Sequence, residues 1–242
     1  MQMDFFSRLI PLYGKEGLDK LSKVKVILFG VGGVGSWCAE ALVRSGIKHL
    51  VLVDPDIVAV SNVNRQLPAT KETLGSAKAD VLAKRLTEIV HNVIIESRIE
   101  TYNPGDAEKF SLESFDVVID AIDSMKAKVD LILSAYEKQV LLFSSLGAAG
   151  RTDPTFVRHS DIWKSIGCPL GKQLRQILRK KGFSGNFEVV YSLESPKAGY
   201  CDTREKGQKP ALGSVVTVTA TFGLTLASLV LNTLLLSKEE NL

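Results

Sequence analysis

Short runs of almost wholly apolar residues alternate with helical segments from residue 24 to residue 143 of the chain. Apolar runs of this kind are typical of strands that are covered on both faces of a parallel sheet. Strands that alternate with helices imply right-handed crossovers and helices on both sides of the sheet. The sequence therefore predicts an α/β fold with a doubly wound, mainly parallel sheet. The predicted strands are residues 24–29, 50–53, 93–99, 115–119 and 140–143, and the predicted helices are residues 34–44, 77–90 and 127–138.

The pattern changes after Gly147, where GAAGRTDPT is rich in residues that favour turns. The segments that follow are less regular until a final apolar helix, so we expect an irregular C-terminal subregion. We divide the chain near residue 150 into an N-terminal region, residues 1–150, and a C-terminal region of the same domain, residues 151–242.

The final helix is unusually apolar, because residues 214–237 contain no charged side chain. About 22 helical residues span roughly 33 Å, which is enough to cross a membrane. The segment also holds Gly223, Asn232 and several threonines, and such residues at this frequency are ordinary in a helix buried between protein layers or subunits. We predict a buried helix, with membrane association through residues 215–236 as the alternative.

Charge and cysteine content restrict the class of protein. The formal net charge of +3 permits a nucleic-acid partner without requiring one. Cys38, Cys168 and Cys201 are far apart and form no CxxC pair, which argues against a disulfide framework and a four-thiolate zinc site. Charged residues near the N-terminus interrupt any run of signal-peptide type. We expect a reducing, cytoplasmic setting.

Residues 30–35 read GVGGVG and fit the GxGxxG pattern between a predicted strand and a predicted helix. Gly30 and Gly32 would let the backbone turn tightly and approach a phosphate. The helix that starts beyond Gly33 would point its N–H groups at that anion, and Gly35 would allow close helix packing. The turn predicts a bound phosphate in a Rossmann-like fold. The alternative is a turn that needs glycine for backbone reasons alone, and the pattern does not separate ATP from NAD.

A polar, partly cationic cluster follows the second predicted strand. Asp54 ends that strand, where a carboxylate accepts hydrogen bonds from ribose hydroxyls in nucleotide-binding folds. The cluster continues with Asp56, Asn62, Arg65, Gln66 and Lys78. An NAD-dependent dehydrogenase has no need of such a cluster, so the dehydrogenase alternative rests only on the glycine pattern and Asp54.

Two carboxylates, Asp120 and Asp123, follow the fourth predicted strand at the edge of the sheet where ligands of open α/β folds bind. A hard cation that bridges phosphate oxygens needs only one or two carboxylates plus water. For Asp120, a structural role as an acceptor for loop N–H groups is as well supported as a functional one.

The residues from Asp54 to Lys78, together with Asp123, resemble the E1-like family of adenylating enzymes, which activate ubiquitin-like proteins and sulfur carriers. The resemblance covers nearly the whole chain and implies ATP and Mg²⁺ as cofactors, bound by residues 1–150. It implies that Arg65 and Lys78 neutralise charge on the triphosphate, and that Asp123 binds magnesium. The nucleotide-binding residues that it implies are Gly30, Gly32, Gly33, Gly35, Asp54, Asp56, Asn62, Arg65, Gln66, Lys78 and Asp123.

Residues 6–14 (FSRLIPLYG) resemble the segment from which family members donate an arginine to the ATP of a partner subunit. Arg8 would then be catalytic in trans, beside Arg65, Lys78 and Asp123. This implies a homodimer, with residues 151–242 contributing to substrate and subunit contacts. An ordinary surface arginine is the alternative.

Within the family, the chain resembles the branch of tRNA threonylcarbamoyladenosine dehydratases. Members that activate sulfur carriers usually bind zinc through two CxxC pairs, which this chain lacks, so no zinc is expected. Residues 32–40 (GGVGSWCAE), 118–124 (VIDAIDS) and 218–223 (VTATFG) look like that branch. The implied partner is tRNA. The sequence does not identify a sulfurtransferase-type protein partner, although the family is compatible with one.

Residues 168–183 predict an amphipathic helix with a basic side, as they combine an apolar stripe with several cations. An RNA backbone would bind such a surface with strong salt dependence, and a solvated helix face is the alternative. We call the five cations of this segment the basic ridge; they are Lys172, Arg175, Arg179, Lys180 and Lys181.

The resemblance implies that the carboxylate of N6-threonylcarbamoyladenosine at tRNA position 37 is activated as an acyl-adenylate with release of pyrophosphate. Ring closure to the cyclic nucleoside then expels AMP. Because the nucleophile belongs to the same nucleoside, no protein thiolate is needed, and we expect the three cysteines to be passive. The alternatives are E1-like activation of a ubiquitin-like or sulfur-carrier protein, and a non-catalytic nucleotide-binding or membrane-tethered adaptor.

Overall fold

The computed structural model describes residues 5–197 and 212–236. Within them, seven strands form one sheet in the order β3-β2-β1-β4-β5-β7-β6, and every neighbouring pair is parallel except β6 with β7. The predicted doubly wound, mainly parallel sheet is confirmed. The strands are β1 Lys25–Phe29, β2 His49–Val53, β3 Ile94–Arg98, β4 Val117–Asp120, β5 Leu141–Ser145, β6 Val157–Asp161 and β7 Glu188–Ser192.

Helices cover both faces of this sheet. Successive residues of β1 serve the two faces, because Val26 and Leu28 belong to a core with α2, α3 and α6, whereas Ile27 and Phe29 belong to a core with α4 and α5. Burial on both sides explains why the inner strands β1, β2 and β4 read as largely apolar runs. The helices are α1 Ile10–Lys23, α2 Gly35–Arg44, α3 Lys78–Thr87, α4 Met125–Glu137, α5 Pro169–Lys180 and α6 Val216–Leu236.

The apolar helix α6 is a core element. By length and composition alone, residues 216–235 could cross a membrane. In the structure, however, Val218, Phe222, Leu226 and Val230 are fully buried and pack in the core that α6 shares with α2 and the sheet. The backbones of α6 and α2 approach closely at Gly223, where an added Cβ would overlap the carbonyl oxygen of Val34. One face of α6 is therefore a core face, as predicted, whereas Leu224, Ser228 and Asn232 on the opposite face are exposed.

The region after residue 150 is more regular than the sequence predicted. No strand was predicted there, yet β6 and β7 extend the same sheet. The sequence of β6 is VRHSD, an edge strand with polar residues, so it lacks the apolar run that marks the inner strands. Nδ1 of His159 in β6 lies 3.2 Å from Oε2 of Glu188 in β7. The division near residue 150 therefore does not coincide with a break in the sheet.

We expect Gly223→Ala to destabilise the fold, although alanine is the better helix former. Helix propensity alone would stabilise the variant by about 1 kcal/mol, whereas overlap of the new Cβ with the α2 backbone should cost about 2–3 kcal/mol. The net loss should lower the thermal midpoint by roughly 3–8 °C. Ser228→Ala, at an exposed position of the same helix, is the control and should not lower it. A midpoint for Gly223→Ala at or above that of the wild type would contradict the close contact.

Candidate active site

A cleft of about 470 Å³ opens at the carboxyl ends of β1, β2, β3 and β4. The order of the strands reverses between β1 and β4, and this switch point is where open α/β sheets bind their ligands. The volume lies within the usual range for small-molecule sites. The lining comes from the glycine turn, residues 53–56 at the end of β2, residues 100–104 after β3, and residues 121–124 and 126–127 after β4, together with Gln66 and Lys78.

The glycines of the turn between β1 and α2 have different roles. Gly30 has a φ of +91°, and an added Cβ would lie 2.6 Å from the carbonyl oxygen of Ala121. A Cβ on Gly35 would overlap the carbonyl oxygen of Gly30, so both positions are explained by backbone packing. Gly32 is different, because the nearest atom to its added Cβ is Nε2 of Gln66 at 3.7 Å, on the cleft side. Of these three glycines, Gly32 is the one that keeps the cleft open.

Asp54 fastens the glycine turn to the end of β2. Its Oδ2 accepts a hydrogen bond from the Val31 N–H at 2.8 Å, and its Oδ1 accepts one from the Asp56 N–H at 2.9 Å. The residue is 5% exposed, and burial raises the pKa of its carboxyl against these stabilising N–H groups. Each carboxylate oxygen keeps acceptor capacity for a further donor, so a ribose hydroxyl fits the observed geometry.

Lys78 supplies a cation inside the cleft. It is the first residue of α3, its side chain is 7% exposed, and its Nζ lies 2.7 Å from Oδ2 of Asp56. The Asp56 side chain is 64% exposed, so only one partner of this ion pair is held by the protein interior. An ammonium carries three donors, and Lys78 can therefore meet an anion in the cleft without leaving Asp56.

Gln66, Asn62 and Arg65 share one loop but face different surroundings. Gln66 is 8% exposed and lines the cleft, and its Oε1 has no hydrogen-bond partner within the described residues. The Oδ1 of Asn62 accepts the Ala59 N–H at 3.0 Å. The Nη1 of Arg65 donates to the Ser61 carbonyl at 2.7 Å, and its Cγ lies beside Gly33. The Asn62 and Arg65 side chains are thus engaged within their own loop.

The two carboxylates after β4 are used differently. Asp120 is completely buried and pairs with Lys128 at 2.6 Å, and its Oδ1 accepts the Ile122 N–H at 3.1 Å. The structural role considered for Asp120 is therefore the one observed. Asp123 is exposed, lines the cleft, and has no ion-pair or hydrogen-bond partner in the part of the chain that the structure describes.

The sequence matches one known protein family over almost its whole length. Residues 6–242 match the model of the ThiF family. The chain belongs to the ThiF family. This membership confirms the resemblance to the E1-like adenylating enzymes and weighs against the dehydrogenase alternative.

Two similar bacterial proteins share one name. Over 191 residues the chain is 41% identical to the tRNA threonylcarbamoyladenosine dehydratase of Bacillus subtilis, covering 79% of this chain and 75% of that protein. It is 33% identical over 242 residues to the Escherichia coli protein of the same name, covering 92% and 90% of the two chains. A crystal structure of the E. coli enzyme in complex with ATP matches with a TM-score of 0.87 at 32% identity, covering 98% of this chain and 96% of that one.

The fold brings most of the predicted nucleotide-binding residues to one place, but not all of them. Arg8 is exposed, makes no hydrogen bond or ion pair among the described residues, and does not line the cleft of its own chain. The predicted residues that line the cleft are Gly30, Gly32, Asp54, Asp56, Gln66, Lys78 and Asp123. The predicted residues outside its lining are Arg8, Gly33, Gly35, Asn62 and Arg65, and their assigned roles stay predictions.

Sequence reasoning missed one wall of the cleft, which is formed by residues 100–104 after β3 and by Lys126 of α4. The hydroxyl of Tyr102 donates to Oδ2 of Asp130 at 2.9 Å, and the Gly105 N–H donates to the same oxygen at 3.1 Å. This wall is therefore tied to α4. The sequence contained a signal for residues 100–104, since they directly follow the predicted strand 93–99 and the carboxyl ends of parallel strands share one edge of the sheet.

The basic ridge lies on α5 and is only partly free. Lys172, Lys180 and Lys181 are exposed, whereas Arg175 is partly buried and donates to the Ser165 hydroxyl. The guanidinium of Arg179 lies 5.3 Å from the ring centroid of Trp163. The inner face of the helix is buried through Leu174 and Leu178, as its periodicity predicted.

The cysteines that the structure describes are buried. Cys38 is in the core between α2 and α6, and burial raises the pKa of its thiol. Cys168 is also buried and free. Both observations agree with passive cysteines, because a protonated buried thiol is a poor nucleophile. Cys201 and the loop at residues 206–211 lie outside the described residues.

We expect Gly32→Ala to weaken ATP binding about tenfold or more, equivalent to ~1.4 kcal/mol. The added methyl fits the fold but projects into the cleft beside Gln66. Calorimetric titration with ATP and thermal unfolding should show weaker binding with a nearly unchanged midpoint. Gly213→Ala is the control, since its added Cβ meets no atom within 4 Å. An unchanged ATP affinity in a folded Gly32→Ala protein would show that nucleotide binds elsewhere.

Proposed function

We propose that this chain adenylates the carboxylate of N6-threonylcarbamoyladenosine in tRNA with ATP, and closes the ring to give the cyclic nucleoside, AMP and pyrophosphate. One observation carries the proposal: the Lys78 cation and the free Asp123 carboxylate meet the glycine turn in a single cleft at the switch point of the sheet. Similarity over more than nine tenths of both chains to an enzyme of that name, seen with ATP, supports it.

In the first step, a carboxylate oxygen of the nucleoside bonds to the α-phosphorus, and the bond to pyrophosphate breaks. Lys78 would offset the negative charge that gathers on the phosphate oxygens, and the N–H groups at the start of α2 would add positive potential from the other side. These groups stand in place before any ligand arrives, so little reorganisation is needed. Gln66 lines the cleft beside Gly32 and would contact the nucleotide there.

In the second step, the carbamoyl oxygen or nitrogen of the same nucleoside attacks the acyl-adenylate, and the bond to AMP breaks. The reacting groups are tethered, so proximity lowers the barrier without a protein nucleophile. The burial of Cys38 and Cys168 supports a reaction that does not pass through a thioester. A reducing, cytoplasmic setting is part of this proposal.

Magnesium would be held by Asp123 together with phosphate oxygens and water. Asp123 fits this role because its carboxylate is exposed to the cleft and unpaired within the described residues. Those residues contain no group of three His, Cys, Asp or Glu side chains that could hold a metal. The site therefore suits a hard cation that brings its other ligands with the nucleotide, and the cation would neutralise phosphate charge there.

Nucleoside analysis of tRNA incubated with the protein, ATP and Mg²⁺ tests the proposal. We expect N6-threonylcarbamoyladenosine to be converted to its cyclic form, with one AMP released per product. Lys78→Met should slow conversion about 100-fold or more, since one donor to the reacting phosphate is lost. Lys138→Met is the control, because Lys138 pairs with Glu108 and Glu113 instead.

An unchanged nucleoside, beside an active reference enzyme, would overturn the proposed reaction. ATP–pyrophosphate exchange that responds to a small carrier protein but not to tRNA would instead support the E1-like alternative. ATP binding with neither activity would support a non-catalytic adaptor.

We propose further that the active unit is a homodimer in which Arg8 reaches the cleft of the partner subunit. The exposure of Arg8 and its absence from the lining of its own cleft support this arrangement. A guanidinium donated in this way matches phosphate geometry at two points. The same proposal places tRNA phosphates on the basic ridge of α5, while a sulfurtransferase-type partner stays a prediction.

Mixing Arg8→Ala chains with Lys78→Met chains should restore activity that neither variant has alone. A mixed dimer contains one cleft with an intact Lys78 and an intact Arg8 from the other subunit, so about a quarter of wild-type activity is expected from random pairing. The measurement is the same nucleoside conversion, on chains unfolded and refolded together. Separately refolded and then combined samples are the control, and equal activity in both samples at the level of single variants would argue against donation in trans.

A further inference from the structure

A buried ion pair spans the turn that carries Asp123. Asp120 is the last residue of β4 and Lys128 lies in α4, and both side chains are 0% exposed. Their Oδ2 and Nζ atoms are 2.6 Å apart. The residues between them include the 121–124 turn, which lines the cleft. The pair thus joins the strand before the turn to the helix after it.

The network around this pair is fully satisfied. Nζ of Lys128 also donates to the Ser145 carbonyl at 3.0 Å and to the Ser144 hydroxyl at 3.3 Å, which accounts for all three of its donors. The Ser144 hydroxyl donates to Oδ2 of Asp120 at 2.6 Å. The other oxygen of Asp120 accepts the Ile122 N–H from inside the turn. One network therefore fixes β4, the end of β5, α4 and the turn relative to one another.

Stability alone does not account for such a pair. Removing two charges from water costs free energy that their attraction only offsets, and apolar residues of similar size often give an equally stable fold. An apolar pair makes no directional hydrogen bonds, so it could not fix the position of the Ile122 N–H or of the start of α4. The network lies where a fixed position matters, since Asp123 and the first residues of α4 line the cleft.

We propose that Asp120 and Lys128 are positioning residues that set the Asp123 carboxylate and the start of α4 for the Mg²⁺ of the bound nucleotide. The inference rests on the proposed function, in which Asp123 meets that cation. Neither residue touches the reacting atoms, since both are sealed from the cleft. Their effect passes through the turn.

The test is a double variant, Asp120→Asn with Lys128→Met, which removes both charges and leaves no buried ion unpaired. We expect a thermal midpoint within a few degrees of the wild type, but a Mg²⁺ concentration for half-maximal ATP binding that rises about tenfold, while ATP affinity in EDTA stays unchanged. Without any ligand, amide hydrogen exchange at residues 122–126 should quicken about tenfold. Lys138→Met, near the other end of α4, should change none of these quantities.

A milder variant keeps the test decisive if the double variant does not fold. Ser144→Ala removes one hydroxyl from the network and should raise the Mg²⁺ requirement about two- to threefold, with faster exchange confined to the same turn. Wild-type dependence on Mg²⁺ in a folded variant, with wild-type exchange at the turn, would overturn the inference alone. A wild-type protein that binds ATP equally with Mg²⁺ and with EDTA would overturn the assigned role of Asp123 and this inference with it.

Discussion

Four backbone segments meet at the turn between β1 and α2 with no side chain between them. Gly30 lies against the carbonyl of Ala121, Gly35 lies against the carbonyl of Gly30, and Gly223 brings α6 onto the first turn of α2. Because backbone carbonyls cannot move aside as side-chain tips can, β1, α2, α6 and the turn after β4 are fixed together at this point. The cleft is the space that remains beside this junction, and its shape follows from it.

The charged groups around the cleft divide according to whether the protein already satisfies them. Asp54 and Asp120 accept backbone N–H groups, and Lys128 donates to three acceptors, so these charges hold the scaffold in place. Asp123 has no partner among the described residues, and Lys78 has only a largely exposed one. A ligand can recruit the second kind of group at little cost, whereas displacing the partners of the first kind would break the scaffold.

The features that could be predicted from the sequence are those that depend on a local pattern of residues. The inner strands β1, β2 and β4 are largely apolar runs because both faces of the sheet are covered there, and the glycine turn is recognisable because backbone contact excludes a Cβ. The inner face of α5 follows from its period. Strand β6 was not predicted, because an edge strand needs no apolar run. The ion pair of Lys128 was not predicted, because its partner is defined only when β4 and α4 pack. The sequence placed Asn62 and Arg65 with the nucleotide by resemblance; in the structure their side chains bond to residues three and four positions away in their own loop, and their role at the nucleotide stays a prediction.

The basic ridge concentrates positive charge on α5 and on the residue that follows it. Its five cations share one helix and its end, Arg175 and Arg179 stand four residues apart, and none has a carboxylate partner among the described residues. Like charges at this spacing destabilise a helix by about 0.2–0.5 kcal/mol per pair, and contact with Trp163 relieves only Arg179. Burial of Leu174 and Leu178 holds the helix in place despite this repulsion, so the outer charges remain available. A polyanion on that face would turn the repulsion into attraction, while a merely solvated surface would gain nothing from concentrating charge of one sign.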